Sequence, residues 1–224
     1  GVPSEVTVAL GSSVTGYTTY RLKLQLTEAE ANIYSVFGSP LKGGISLPAA
    51  YQVAAPFGAN VGGVNPLFFP TSPEAEFDSW LTVGVEDGSA GTAISSIGID
   101  FSAWTADSGL EVPDGAIFWM APDDGPTGTV TVAQLTVAEG SSGSVRMGAQ
   151  GRSTAGEDWQ GYHTWTYASS SSPPPSPPPP PPLAVDCQGT WSACTAACEA
   201  AADRTWTEIT AVAGNGAACP AATD

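Results

Sequence analysis

The chain has little positive charge. Only 6 Lys and Arg residues accompany 22 Asp and Glu residues among 224, which gives a formal net charge of −16. Nucleic acid is recognised through a basic face that neutralises phosphates, and an anionic membrane surface attracts clustered Lys and Arg. The composition therefore argues against both partners. The acidic composition is more compatible with a role in solubility, or with binding of a cationic polymer or Ca²⁺.

Long apolar runs and N-glycosylation sequons are absent as well. No run approaches the roughly 20 apolar residues of a membrane-spanning helix, so we expect no membrane insertion. None of the four Asn residues is followed two positions later by Ser or Thr. Any glycosylation of a secreted form would therefore be O-linked.

Side chains that usually carry catalysis are scarce. His163 is the one histidine, and no cysteine precedes Cys187, so a Cys–His nucleophile cannot form in the first 186 residues. No nucleophile elbow, phosphate loop or HExxH string occurs. We therefore expect a protein that is not an enzyme and requires no cofactor, with His163 as a strand residue. Hydrolysis by two carboxylates from distant strands stays as a weaker alternative.

Residues 169–182 contain only serine and proline. Proline has a fixed φ and no backbone N–H, so this Ser/Pro tract predicts a polyproline II rod. Its ten residues from Pro173 to Pro182 would hold their flanks roughly 30 Å apart. We accordingly predict a domain at 1–168, a linker at 169–183 and a small module at 184–224.

The Ser-Pro-Pro-Pro-Ser-Pro-Pro-Pro-Pro pattern resembles the extensin-like, hydroxyproline-rich tracts of algal and protist wall and flagellar-surface glycoproteins. The resemblance implies an extracellular setting, hydroxylated prolines and covalent O-glycans; an unmodified linker is the alternative. The residues that would carry these modifications are Ser169, Ser170, Ser171, Ser172, Pro173, Pro174, Pro175, Ser176, Pro177, Pro178, Pro179, Pro180, Pro181 and Pro182.

Apolar residues before the tract alternate mostly with period two, which is typical of strands with one buried face. Gly, Pro, Asp and Ser separate the segments. We expect about nine strands in an antiparallel β-sandwich of the jelly-roll kind, with 41–73 as an irregular loop that conceals a strand near 50–54. The predicted strands are 6–10, 20–26, 33–37, 79–85, 94–101, 116–120, 129–137, 144–149 and 163–167.

All four cysteines follow the tract, in a segment with few large apolar residues. Such a module needs disulfides rather than a core, and the spacing does not fit common zinc sites. We predict disulfides among Cys187, Cys194, Cys198 and Cys219, with all three pairings open. The string from Trp191 to Cys198 resembles a divergent thrombospondin type 1 repeat, although the module has only four cysteines and a single arginine, Arg204.

Two weaker site predictions concern the first domain. Asp123 and Asp124 precede a glycine and place oxygen ligands on a turn, so they are the best candidates for Ca²⁺, although Asp-Asp-Gly is also an ordinary turn. Trp159, Phe68 and Phe69 adjoin turn-like sequence and are the candidates for stacking on sugar rings, while most other aromatic residues should be core.

These observations favour a secreted structural glycoprotein that assembles head to tail with itself into an extracellular filament, wall layer or flagellar hair. An arm of roughly 30 Å reaches beyond its own domain to a neighbouring copy, and a head-to-tail contact generates filaments unless its rotation closes. The alternative is a carbohydrate-binding module tethered by a linker.

Overall fold

A computed structural model describes residues 2–11, 14–89, 93–168, 185–193, 205–212 and 217–220. The chain divides into two compact units, Gly1–Ser171 and Ser172–Asp224, and each is treated by itself. None of the described helices has the length and the apolar composition needed to cross a membrane.

The first unit is built from antiparallel strands, with a few short 3-10 helices between them. Eleven strands occur in its described residues: β1 (Ser4–Gly11), β2 (Tyr17–Gln25), β3 (Ser35–Gly38), β4 (Ile45–Leu47), β5 (Trp80–Leu81), β6 (Ile94–Ile97), β7 (Leu110–Val112), β8 (Gly115–Trp119), β9 (Thr129–Ala138), β10 (Ser142–Arg152) and β11 (Asp158–Ala168).

The strands form two sheets around one core. One sheet has the order β1-β2-β9-β5; the other has the order β6-β8-β3-β10-β4-β7, with β11 also paired to β10. Leu22 and Leu135 of the first sheet share a hydrophobic cluster with Val145 and Trp165 of the second. The predicted mainly β, antiparallel architecture is therefore confirmed, and the arrangement is consistent with a β-sandwich.

The larger sheet has β11 at one edge and β6 at an opposite edge. Strand β11 pairs with β10 along the whole of that strand, whereas β3 and β4 share the other side of β10. Strands β10, β3 and β8 therefore separate β11 from β6, and four strand spacings amount to about 19 Å. On the β11 side, the Nδ1 atom of buried His163 lies 2.8 Å from Glu5 Oε1 on β1.

Some strand predictions were wrong in extent. The run 79–85 yields only β5, because Thr82 exchanges side-chain hydrogen bonds with Val85 across a turn in which Gly84 has φ +84°. Strands β4 and β7 escaped prediction because three residues are too few to display alternation. The strand inside the long loop is β4, and residues 50–54 form no strand.

Residues 51–79 cover the outer face of β9. Gln134 Nε2 donates hydrogen bonds to the carbonyl oxygens of Glu76 and Asp78, and Thr136 Oγ1 donates to that of Phe77. A second small hydrophobic cluster forms under this segment around Trp80. Strand β9 is consequently buried on both faces, and the long segment is fixed to it.

In the second unit, β12 (Gln188–Trp191) pairs antiparallel with β13 (Trp206–Thr210). Cys187 and Cys219 form a disulfide, and the rings of Trp191 and Trp206 meet edge to face with centroids 5.4 Å apart. The Ser/Pro tract, Cys194, Cys198 and Arg204 lie outside the described residues, so the predictions made for them stay predictions.

Candidate functional site

An open cavity of about 440 Å³ lies where the long segment 51–79 meets the edge strand β6. We call it the Phe groove. Its lining contains no charged residue, which is notable in a chain of net charge −16. The lining residues are Phe57, Gly58, Ala59, Val61, Gly63, Val64, Asn65, Phe68, Gly88, Ile94, Ser95 and Ser96.

One wall of the groove is the 3-10 helix Pro66–Phe68. Asn65 caps this helix, because its side-chain oxygen accepts a hydrogen bond from Leu67 N at 3.0 Å, and Pro66 supplies the fixed φ of a first helical residue. Phe68 at the end of the helix is 37 % exposed. Its ring meets Phe57 edge to face, with centroids 5.7 Å apart, so two aromatic rings face the cavity.

Phe57 is positioned by a buried carboxylate. Asp78 is fully buried, and it accepts hydrogen bonds from Val53 N at 2.7 Å, Ala59 N at 2.6 Å and Ser79 N at 3.0 Å. The first two bonds clasp the turn that carries Phe57 between them. Burial raises the pKa of Asp78 to about 6, although the three N–H donors act to lower it.

Two glycines with positive φ bring the floor of the groove together. Gly63 has φ +80°, and a Cβ there would lie 2.1 Å from Glu86 O; Gly88 has φ +73°, and a Cβ there would lie 2.6 Å from Asn65 N. Gly88 N donates to Gly62 O at 3.0 Å. Because only glycine tolerates both the φ and the close approach, the loop after Glu86 can pack directly beneath the capping residue Asn65.

The opposite wall is the free edge of β6. In its pairing with β8, Ser95 lies opposite Phe118, and Met120 N donates to Ala93 O. This pattern directs the N–H and C=O groups of Ser95 toward β8 and those of Ile94 and Ser96 away from the sheet. Among the described residues, the outward groups of Ile94 and Ser96 have no backbone partner, so they form an open edge along the cavity.

The groove therefore combines aromatic surface with unpaired donors. Asn65 uses its carbonyl oxygen for the cap, and within the described ranges its Nδ2 group has no hydrogen-bond partner. Ser95 and Ser96 add hydroxyl groups to the outward N–H groups of β6. Such a site suits an uncharged ligand that has apolar rings and oxygen acceptors. Proline-rich peptide and carbohydrate both meet that description.

The three aromatic residues predicted for sugar stacking lie in different places. Phe68 lines the groove, whereas Phe69 packs into the small cluster with Trp80. Trp159 is on β11; it packs against the main core, and its Nε1 donates to Asn32 O at 2.9 Å. Only Phe68 therefore belongs to the groove.

The calcium candidates adjoin a cation of the protein itself. Arg152 Nε donates to Asp123 Oδ1 at 2.8 Å, and Arg152 Nη1 donates to Asp158 Oδ1 at 2.6 Å. The bond from Arg152 to Asp158 holds the pKa of Asp158 below its ordinary value. Asp123 and Asp124 are both exposed. Because the guanidinium already neutralises Asp123, this turn retains less negative charge for Ca²⁺ than its sequence suggests.

In the described ranges, one group of three side chains has metal-ligand geometry: Cys187, Glu208 and Cys219. Its two sulfur atoms are joined in the disulfide. Since metals bind the thiolate form of cysteine, the oxidised pair offers no such ligand. We therefore assign this group to the stabilisation of the second unit.

Sequence reasoning overlooked most of the groove. Phe57, Asn65, Ser95 and Ser96 come from segments far apart in sequence, and the fold brings them to Phe68. One local signal was readable: Asn65-Pro66 is a typical start of a short helix, which would have marked Phe68 as the end of a rigid turn. No protein-family model, curated protein or solved structure matches the chain.

Proposed function

We propose that the protein is a secreted structural glycoprotein, assembled head to tail into an extracellular filament, wall layer or flagellar hair. A jelly-roll-like sandwich forms its body, a glycosylated polyproline II rod its arm, and a disulfide-stapled module its end. The observation that carries the proposal is that β11 and β6 lie at opposite edges of one sheet. The Ser/Pro tract follows β11, and the uncharged Phe groove borders β6.

A contact between two different surfaces favours open polymers over closed dimers. A contact between the arm side of one copy and the groove side of the next is heterologous, because the two surfaces differ. Each copy then retains one free surface of each kind, and addition continues unless the rotation between copies closes a ring.

The charge pattern supports contact through these two regions. The chain carries net charge −16, so most of the surface of one copy repels the next. Neither the Ser/Pro tract nor the groove lining contains a charged side chain. Copies of this chain can approach there without placing carboxylates against each other.

Electron microscopy of full-length protein tests this proposal. Wild-type chains should form filaments. A tract-replaced chain, in which the ten residues from Pro173 to Pro182 become alternating Gly and Ser, should remain monomeric, because a flexible segment loses the preformed extended arm. Circular dichroism checks that the tract-replaced chain keeps its β content. Identical filaments from both chains would refute the arm as connector.

A second candidate, a carbohydrate-binding module, is favoured by the paired rings of Phe57 and Phe68 beside the amide of Asn65. Apolar faces of sugars stack on such rings, and amide groups bind sugar hydroxyls. This function predicts a wild-type monomer that binds a soluble or polymeric glycan and loses that binding in Phe68→Ala. The microscopy and a glycan-binding screen therefore separate the two candidates.

A further inference from the structure

We propose that the Phe groove is the receptor for the Ser/Pro tract of a neighbouring copy. This inference rests on the proposed head-to-tail assembly and names the two surfaces that meet. The contact would place residues from the 169–182 segment of one chain between Phe57, Phe68 and the free edge of β6 in the next.

Hydrogen-bonding capacity is complementary between the two surfaces. A proline residue has a backbone carbonyl but no N–H, so the proline runs of the tract present acceptors without matching donors. The groove supplies donors: the amide of Asn65, the outward N–H groups of Ile94 and Ser96, and two serine hydroxyls. A proline run brings no N–H that needs an acceptor there, and the outward C=O groups of Ile94 and Ser96 stay open to water.

The aromatic rings suit the shape of the rod. A polyproline II helix has three residues per turn and needs no internal hydrogen bonds, and aromatic-lined grooves are its usual receptors. Phe57 and Phe68 lie edge to face at 83°, so the two rings form two sides of a channel. Asp78 holds the turn of Phe57 and Asn65 caps the helix of Phe68, which means that the channel is formed before a ligand enters.

The length of the tract allows it to reach another copy. In sequence the tract directly follows β11, and β6 beside the groove lies about 19 Å from β11 across four strand spacings. A stiff rod that leaves β11 extends roughly 30 Å from its origin. The rod is therefore long enough to reach past its own domain to the groove of a following copy.

The test uses full-length chains with one defective surface each. The groove variant is Phe68→Ala; its ring is 37 % exposed, so the fold should tolerate the change. A second groove variant, Ser96→Pro, removes an outward N–H on an edge strand without removing a sheet hydrogen bond. The matched control is Leu67→Ala, which alters an 81 % exposed neighbour in the same helix that does not line the groove.

A mixture of the groove variant and the tract-replaced chain gives the decisive result. The groove variant keeps its tract, and the tract-replaced chain keeps its groove, so each alone should be monomeric. Together they should form 1:1 dimers and stop, since the remaining groove and tract are both defective. Analytical ultracentrifugation should detect those dimers, and Leu67→Ala should assemble like wild type. Association of the groove variants should be at least about tenfold weaker than that of wild type.

A synthetic peptide of residues 169–182, with proline or hydroxyproline, separates failure of the inference from failure of the proposed function. In calorimetry the peptide should bind the tract-replaced chain, and it should not bind a tract-replaced chain that also carries Phe68→Ala. If wild type never assembles but the peptide binds in this way, the head-to-tail function fails and the groove assignment stands. Any of four results would overturn the inference. These are peptide binding that Phe68→Ala leaves unchanged, groove variants that polymerise normally, a tract that cross-links to the groove of its own chain, and a mixture that stays monomeric.

Discussion

Asp78 allows a prediction that depends on one buried carboxylate. The side chain is fully buried and receives three backbone N–H groups, two of them from the turn that carries Phe57. Burial raises its pKa from 3.8 to about 6. Because the folded pKa exceeds the unfolded value, the folded state binds this proton more tightly. The contribution to stability is therefore fully present below pH 3.8 and is lost as the pH rises through about 6.

The magnitude follows from the size of the shift. A rise of about 2 pKa units corresponds to about 3 kcal/mol between the two limits. Between pH 4 and pH 8 the accessible part is about 2 kcal/mol, and most of it is lost by pH 6. The variant Asp78→Asn cannot titrate. Its absolute stability combines relief from a buried charge with the loss of an acceptor for one N–H group, so only the pH dependence of the difference is diagnostic.

The assay is urea unfolding of wild type and Asp78→Asn at several pH values from 4 to 8, with amide exchange at Val53 and Ala59 as the local measurement. The free energy of unfolding of wild type minus that of the variant should fall by about 2 kcal/mol across this range. As a control, exposed Asp87 has a pKa lowered by hydrogen bonds from Ser89, so the corresponding difference for Asp87→Asn should not fall. A flat difference for Asp78→Asn would refute the reasoning.

Three further predictions concern the second unit and the tract. Reduction of the disulfide between Cys187 and Cys219, which are 32 positions apart, should destabilise the second unit by roughly 4 kcal/mol in the chain-entropy model; two-dimensional NMR should show the signals of the first unit unchanged, and their loss would contradict independence. Thiol titration of unreduced native protein should find no free cysteine, and one free thiol per chain would disprove complete pairing. Intact-mass and glycopeptide analysis of native material should find hydroxyproline and O-glycans in residues 169–182, and an unmodified tract would exclude them.

Much of the first unit could be predicted because its long strands alternate visibly. Strands β2, β9 and β10 each place apolar residues at every second position for most of their length. Burial follows that period in β2 and much of β10, whereas β9 is buried on both faces because residues 51–79 cover its outer side. Strands β4 and β7 have three residues, less than two full periods. Their pairing depends on neighbours distant in sequence, and Gly38 and Gly44, which approach the carbonyl of Val112, show how closely the backbones pack there.

The groove was less predictable for a different reason. Its properties arise from a sheet edge, a loop and a capped turn that meet only in the folded chain, and a donor such as Ser96 N–H becomes available only because the strand ends the sheet. Phe68 could be singled out from its turn-like surroundings, but Trp159 showed the same signal. What separates them is the bond from the Trp159 indole to Asn32 O, which involves residues 127 positions apart.

Charge leads to a final prediction on the assembly. Each copy has net charge −16, so the approach of two copies is opposed by long-range repulsion, while the surfaces proposed to meet are uncharged and respond little to ions. Salt shortens the range of repulsion from about 30 Å at 0.01 M to about 8 Å at 0.15 M. Assembly, measured by light scattering, should therefore strengthen over that interval.

Sodium and calcium salts at equal ionic strength should act alike if screening alone operates. A specific gain with calcium that a chelator reverses would instead favour carboxylates bridged by calcium. Assembly that weakens with either salt would show that ionic attraction holds the copies together, and it would exclude an uncharged groove as the principal contact.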